Sequence, residues 1–294
     1  MLEQFINELE RQGKSHNTIG AYKTDIQQFH KWLYDSLGHV TTDITQTDVR
    51  EFRQYLNFIK KLNVTSINRK VKSIVRFQNY LNDIGESTNR VEVKGVLQKN
   101  NIEQEHEVRV VWKNDLYKLK RTIEASGNKR DIAVYFLLFG TGMRVSELVN
   151  LEIDDIYLTE RNGKNSYSFI LIRNGKGNKS RKIPLNVDVV KAINEYLEVR
   201  PLNMSNILVI GQRGAFTRIA INKILEKYSK QAQLHYVVTP HMARHTAFTM
   251  MIKNGVDVKT VQLIAGHSSA DVTYKFYVSS TIEDKQNAVD NLNI

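Results

Sequence analysis

A polar, aperiodic stretch from residue 86 to 108 divides the chain, and the hydrophobic spacing on its two sides is different in kind. Before it, apolar residues recur only at helical intervals. Phe5, Ile6 and Leu9 open one stripe, and Tyr22, Ile26, Phe29, Trp32 and Leu33 form a second. Phe52, Leu56 and Ile59 suggest a third helix capped by Thr47 or Asp48. Ile67, Val71, Ile74, Phe77 and Leu81 suggest a fourth capped by Thr65 or Ser66. Residues 1–85 therefore predict a small helical bundle. Residues 86–108 carry Gly85 at their edge, Gly95 and a run of Asn, Gln and Glu, the composition of an interdomain linker.

After the break, helical and strand patterns mix. A short strand is expected at Val108–Trp112, then a helix capped by Asn114 or Asp115, then a buried apolar helix over Ile132–Phe139. Gly140-Thr141-Gly142-Met143-Arg144 interrupts that helix, so Arg144 should emerge from a tight turn on an apolar support. Tyr167–Arg173 and Arg181–Leu185 predict a strand pair with Lys176 near the connecting turn. Helices are expected at 187–200, 218–233, 240–254 with Gly255 past its end, 257–265 and around 271–278. The fold class is mainly α with a small β-sheet, an α+β domain following the helical one.

Charge narrows the chemistry. The chain carries +11, and ten of those charges fall after residue 108. Such a balance suits a polyanionic partner. On the fourth helix, Arg69, Lys70, Lys72 and Arg76 are candidates to track a phosphate backbone. Cysteine is absent, which excludes disulfide frameworks and thiolate metal sites, and no 18-residue apolar run or secretory leader is visible. A cytoplasmic protein with no membrane partner is expected.

One further segment points to an anion. In His241-Met242-Ala243-Arg244-His245, positions 241, 244 and 245 share a helix face, and Thr239 and Pro240 supply an N-cap and a first-turn proline. Unpartnered amides at such an end favour phosphate. Zinc is a poorer fit, because no glutamate lies between the histidines to act as a base and an arginine there opposes a cation. Arg144 and Arg244 can hold a phosphodiester bidentately as charge spreads over its oxygens. Gly175–Ser180 does not match a nucleotide-binding P-loop.

Taken together, Thr141-Gly142-Met143-Arg144-Val145-Ser146-Glu147-Leu148, Gly175-Lys176-Gly177 before Arg181 and Ile183-Pro184-Leu185, His241 to His245, Gly266-His267-Ser268 and Tyr277 resemble the tyrosine recombinases, or phage integrase family. Residues 1–85, with Ser15, Thr18, Tyr22, Asp25, Phe29 and Trp32, resemble the family's helical core-binding domain, leaving 86–108 as linker and 109–294 as catalytic domain. The resemblance implies that Arg144 and Arg244 stabilise the transition state and that Tyr277 attacks the scissile phosphate to form a 3′-phosphotyrosyl bond. Lys176 would protonate the leaving 5′ oxygen. His241 and His267 would bind non-bridging oxygens, with His245 assisting and Glu147 orienting Arg144. Tyr274 stands close to Tyr277 as a competing phenol, and Ser279 and Ala265 depart from the residues usual in the family.

The chemistry is self-consistent. A phenol with a pKa of about 10 needs a base or a positive field to attack at neutral pH. Fixed cations can take the place of a divalent metal, so no cofactor and no metal is expected. The resemblance further implies double-stranded DNA with a specific core site as partner. It implies a monomer that assembles as a homotetramer or heterotetramer on two DNA sites and works through a Holliday junction. Seventeen residues follow Tyr277, including Ala288, Val289, Leu292 and Ile294, and would form a tail docking on a neighbouring subunit or on its own. No further domain precedes the bundle in this sequence, which favours a compact Xer-like, transposon-borne or plasmid enzyme. A type IB topoisomerase-like relaxing enzyme, a non-catalytic DNA-binding regulator and a metal-dependent nuclease are the alternatives.

Overall fold

The computed structural model describes residues 1–98, 110–159, 167–173, 180–201, 205–211 and 214–266. The chain divides into two units, Met1–Glu105 and His106–Ile294.

The first unit is helical: α1 (Leu2–Arg11), α2 (His16–Leu37), α3 (Gln46–Gln54), α4 (Val64–Asp83) and the single turn α5 (Val93–Val96). The stripes read from the sequence supply most of its core, with Phe5, Leu9, Ile26, Phe29, Leu33, Phe52, Leu56, Ile67, Val71, Ile74, Phe77 and Leu81 buried and Ile6, Tyr22 and Trp32 packed at its edge. Ile59, expected on the third stripe, is instead 68% exposed, because the α-helix stops at Gln54 and the π-helical turn that follows shifts the spacing. Phe29 meets Phe52 edge-on at 5.1 Å between ring centroids. Ser15 caps α2, and Gly38 ends it in the left-handed conformation.

Two caps differ from expectation. Thr45, not Thr47 or Asp48, caps α3. Asp48 is worth more three residues in, where its carboxylate accepts the Thr45 amide at 2.8 Å and closes a capping box. Asn63, not Thr65 or Ser66, caps α4, its side-chain oxygen accepting from the Ser66 amide at 2.8 Å. Beyond α3 the chain makes a π-helical turn, Tyr55–Ile59, before Lys60.

Residues 86–98, expected as linker, instead pack on the bundle. Val91 and Val96 join its core. Arg53 donates to the Val96 carbonyl at 3.1 Å, and Asn68 and Gln98 exchange two hydrogen bonds of 2.9 Å each. Two valines five apart are too few to form a stripe, so the polar residues between them disguise a segment whose hydrogen bonds are spent on the domain.

The second unit contains α6 (Lys113–Ala125), α7 (Lys129–Thr141), α8 (Val145–Val149), β1 (Ile156–Tyr157), β2 (Phe169–Ile172), β3 (Arg181–Pro184) and α9 (Val187–Val199). There follow β4 (Ile210–Gly211), β5 (Gly214–Ala215), α10 (Arg218–Gln231), α11 (Pro240–Lys253) and α12 (Val258–Ala265). Strands β1-β2-β3 form an antiparallel sheet in that order, with Ile170 opposite Ile183 and Ile172 opposite Arg181. Strands β4 and β5 form a separate pair. The core centres on α7, where Ile132, Ala133, Val134, Tyr135, Leu137 and Leu138 are buried and the helix packs against α9 and α11.

The expected strand at 108–112 does not form over its described residues. The Val111 amide donates instead to the Thr246 hydroxyl of α11 at 2.8 Å. Helix α6 begins one residue before the expected caps. Asp115 lies inside its first turn and accepts from the Tyr236 hydroxyl at 2.9 Å. The expected strand pair is present, while the turn carrying Lys176 and the expected helix at 271–278 lie outside the described residues. No helix among the described residues is long and apolar enough to cross a membrane.

Candidate active site

The site is built on the turn that ends α7. Gly142 closes that helix at φ 65°, a conformation that side chains oppose, and a Cβ there would lie 2.8 Å from the Phe248 ring. Glycine is thus required both by backbone and by space. Met143, fully buried, anchors the next residue. Arg144 then takes the N-cap position of α8, its amide donating to Glu147 Oε2 at 2.7 Å and its guanidinium Nη1 to Glu147 Oε1 at 3.0 Å.

Helix α11 brings the second arginine to the same turn. Thr239 caps it, accepting from the Met242 amide at 3.2 Å, with Pro240 in the first turn. Arg244 is only 6% exposed, its guanidinium 4.7 Å above the Phe248 ring. Nη1 donates to the Gly142 carbonyl and Nη2 to the Ala265 carbonyl, both at 2.7 Å. The close approach that forbids a side chain at Gly142 is what lets α11 reach this carbonyl.

His241 and His245, one turn apart on α11, meet through their Nε2 atoms at 2.7 Å, so one ring donates and the other accepts. Packing around the His241 imidazole, although the residue keeps an open face, and then the positive Arg244, lower its pKa below the ordinary 6.5. His241 is therefore neutral at pH 7 and able to take a proton. Because the folded state holds this proton less tightly than the unfolded chain, its contribution to stability is lost as pH falls below 6.5. An NMR titration of the imidazole should give a midpoint below that value; one at or above it contradicts the arrangement.

The third component is the C-terminal end of α12, where helical carbonyls lack partners and the backbone dipole is negative. Three successive carbonyls each accept from a different arginine. Ile264 accepts from Arg181 Nε at 2.8 Å, Ala265 from Arg244 Nη2 at 2.7 Å and Gly266 from Arg144 Nη2 at 3.2 Å. Arg181 also grips Glu147 with both terminal nitrogens, at 2.9 and 2.8 Å. Burial pushes the Glu147 carboxyl up, but the Arg181 hydrogen bonds and charge, with the Arg144 bonds, outweigh it. The carboxyl ends below the ordinary carboxylate range and stays ionised. Three guanidiniums thus converge on one helix end, and two of them share one carboxylate, leaving a net positive site that suits a phosphoryl group.

Of the residues expected to act together, Arg144, Glu147, Arg244, His241 and His245 are brought to α8 and α11 around this centre. Lys176, His267, Tyr277 and the competing Tyr274 lie outside the described residues. The α4 cations belong to the first unit. Arg69 and Lys70 bond the buried carboxylate of Asp25, Lys70 Nζ at 2.9 Å, and Ser73 donates to the same group at 2.8 Å. Lys70 is largely buried, whereas Lys72 is exposed and Arg76 half-buried. Sequence reasoning gave Arg181 no role. A signal was present: Arg181 shares a strand face with the buried Ile183, and a charge facing a core requires an anionic partner.

Among the described residues no group of three or more His, Asp or Glu side chains is placed to hold a metal ion. Residues 109–283 match the family model of the phage integrase family, and residues 2–85 that of the phage integrase N-terminal SAM-like domain. The chain is 30% identical to the TnP I resolvase of Bacillus thuringiensis, over 92% of each chain. It is also 30% identical to tyrosine recombinase XerA of Pyrococcus furiosus, over 100% of this chain and 94% of the relative. In fold it is similar to the XerH site-specific recombinase in a post-cleavage complex with a palindromic difH substrate. The TM-score is 0.74 at 21% identity, covering 100% of this chain and 83% of that one. The converging arginines thus sit in a chain that belongs to the phage integrase family, the tyrosine-type site-specific recombinases.

Proposed function

We propose that the enzyme cuts and rejoins strands of double-stranded DNA at a specific core site, through a 3′-phosphotyrosyl intermediate and a Holliday junction. The observation that carries this reading is the convergence of Arg144 and Arg244 on the α12 terminus beside a neutral His241. In the proposed reaction the arginines bind the non-bridging oxygens of the scissile phosphate, and their charge matters most as the five-coordinate state forms. Tyr277 attacks phosphorus, and Lys176 protonates the departing 5′ oxygen. His241 and His267 contact the phosphate with support from His245, and Glu147 orients Arg144. The phosphotyrosyl bond keeps the energy of the broken ester, so religation by the incoming 5′ hydroxyl consumes no nucleotide cofactor.

The helical unit, residues 1–85, serves as the core-binding domain, and residues from 109 onward as the catalytic domain. Lys72 and Arg76 on α4 contact the phosphate backbone, with Arg69 and Lys70 set beside them by Asp25. A basic chain of this kind loses DNA affinity steeply with salt. The protein works in the cytoplasm, as a monomer that assembles into a homotetramer or heterotetramer on two DNA sites.

The test is incubation with nicked suicide duplexes drawn from the DNA flanking the gene, where the nick lets the short downstream fragment carrying the freed 5′ hydroxyl escape and so traps the covalent species. A protein–DNA adduct that survives denaturation is expected on one flanking sequence and not on scrambled duplex. Absence of adduct across the flanks would contradict the proposal. Relaxation of plasmid lacking any such sequence would place the enzyme with the topoisomerases instead.

A further inference from the structure

Two arginines compete for the single carboxylate of Glu147, and the way they divide it points to a function for the one nearer the interior. Arg181 takes both oxygens, Nη1 to Oε1 at 2.9 Å and Nη2 to Oε2 at 2.8 Å. Arg144 donates one side-chain bond, Nη1 to Oε1 at 3.0 Å, and its amide donates to Oε2 at 2.7 Å. These four donors match the four lone-pair positions of a carboxylate. Burial orders the two arginines: the side chain of Arg181 is 11% exposed and that of Arg144 31%, over a Glu147 that is 7% exposed. A guanidinium pairs with a carboxylate most favourably through two parallel bonds. Were the second oxygen open, Arg144 would turn into that arrangement and be drawn away from solvent.

The α12 terminus fixes the same division from the other side. Arg181 Nε bonds the Ile264 carbonyl at 2.8 Å, so all three of its nitrogens are committed. Arg144 Nη2 bonds the Gly266 carbonyl. Gly266 itself adopts φ 64°, and a Cβ on it would lie 3.2 Å from the Cδ, Nε and Cζ of Arg181, so glycine is what lets the helix end close over this side chain.

We propose that Arg181 is a positioning residue: by occupying both oxygens of Glu147 and the end of α12, it holds Arg144 in a single-bonded, outward orientation toward the scissile phosphate. This rests on the reaction proposed above, since it deepens the role of Arg144 there. A lysine at 181 keeps the charge but cannot span two carboxylate oxygens and a carbonyl together.

The experiment compares wild type, Arg181→Lys, Arg144→Lys and the double variant in single-turnover cleavage of the suicide duplex. It is run beside affinity for intact duplex and thermal melting. Arg181→Lys should slow cleavage by about 10- to 100-fold, as a misplacement of about 1 Å in a reacting group does. Its DNA affinity should stay within about threefold of wild type, since a positioning role acts in the transition state and not in ground-state binding. Its loss should be less than additive with that of Arg144→Lys, because both act through one guanidinium. On a duplex with a neutral methylphosphonate at the scissile position, where less charge develops, the penalty for Arg181→Lys should shrink. Cleavage at the wild-type rate, full additivity, or equal penalties on both duplexes would each overturn the proposal.

Two further readouts complete the test, the second of them independent of the reaction. Gly266→Ala presses on Arg181 without removing it and should slow cleavage in the same direction; an unchanged rate would count against the proposal. A crystal structure of Arg181→Lys should show Arg144 paired to both oxygens of Glu147, and an unmoved Arg144 would overturn the inference even if the wild-type protein formed no adduct.

Discussion

Arg244→Lys lowers the rate of covalent cleavage by about 10²- to 10³-fold, the range seen when one preorganised donor to a developing charge is removed. The expectation follows from where the guanidinium sits. It is 6% exposed and is held from two directions, by the Gly142 carbonyl at the end of α7 and by the Ala265 carbonyl at the end of α12. It is therefore aimed before any substrate arrives, and no reorganisation is needed as charge builds on phosphorus. A lysine ammonium is a compact point charge and cannot serve two carbonyls and a phosphate in the same plane. Whichever carbonyl it abandons is left without its donor, at a cost of about 1–3 kcal/mol. The thermal melting point should therefore fall along with the rate. Single-turnover kinetics on the suicide duplex, with binding measured on intact duplex, separates the two effects. Cleavage within threefold of wild type would remove Arg244 from the transition state.

Tyr277→Phe should abolish the adduct and leave DNA binding unchanged. The substitution deletes one oxygen, the atom proposed to bond phosphorus, and a phenyl ring carries no nucleophile to replace it. In the proposed complex, binding would draw on the basic residues of both units and on phosphate contacts that a phenol does not supply. Denaturing electrophoresis of the variant with labelled suicide duplex, beside a mobility-shift titration, reads both properties. Undiminished adduct would transfer the nucleophile to another residue, with Tyr274 the first to substitute.

Much of this architecture was legible because hydrophobic spacing over long helices leaves little choice. The stripes of α2 and α4, the apolar run of α7 and the cap of α11 by Thr239 and Pro240 all appear where the residues place them. What escaped the sequence were interactions between distant segments. Val91 and Val96 look like linker until the bundle that covers them is present. The amide of Val111 was expected in a strand ladder and finds Thr246, 135 residues away, instead. Asp48 looks like a cap and serves three residues into its helix.

The candidate site divides in the same way. Arg144, Arg244 and the two histidines of α11 stand out by residue type and local spacing. The groups that aim them do not, because backbone carbonyls at Gly142, Ile264, Ala265 and Gly266 carry no signature in a sequence. Arg181 shows why side chains can be overlooked as well. Its meaning depends on Glu147, 34 residues earlier, and on a helix end 83 residues later.

The central claim is that three arginines anchored on the end of α12 prepare a phosphodiester for attack by a tyrosine. Its most direct test is to trap the covalent species on a suicide duplex, digest it and sequence the nucleotide-bearing peptide by mass spectrometry. The account predicts a 3′-phosphate ester on Tyr277, formed by wild type and lost in proportion to the rate in Arg244→Lys. An adduct on any other residue, or one formed equally well without the Arg244 guanidinium, would contradict it.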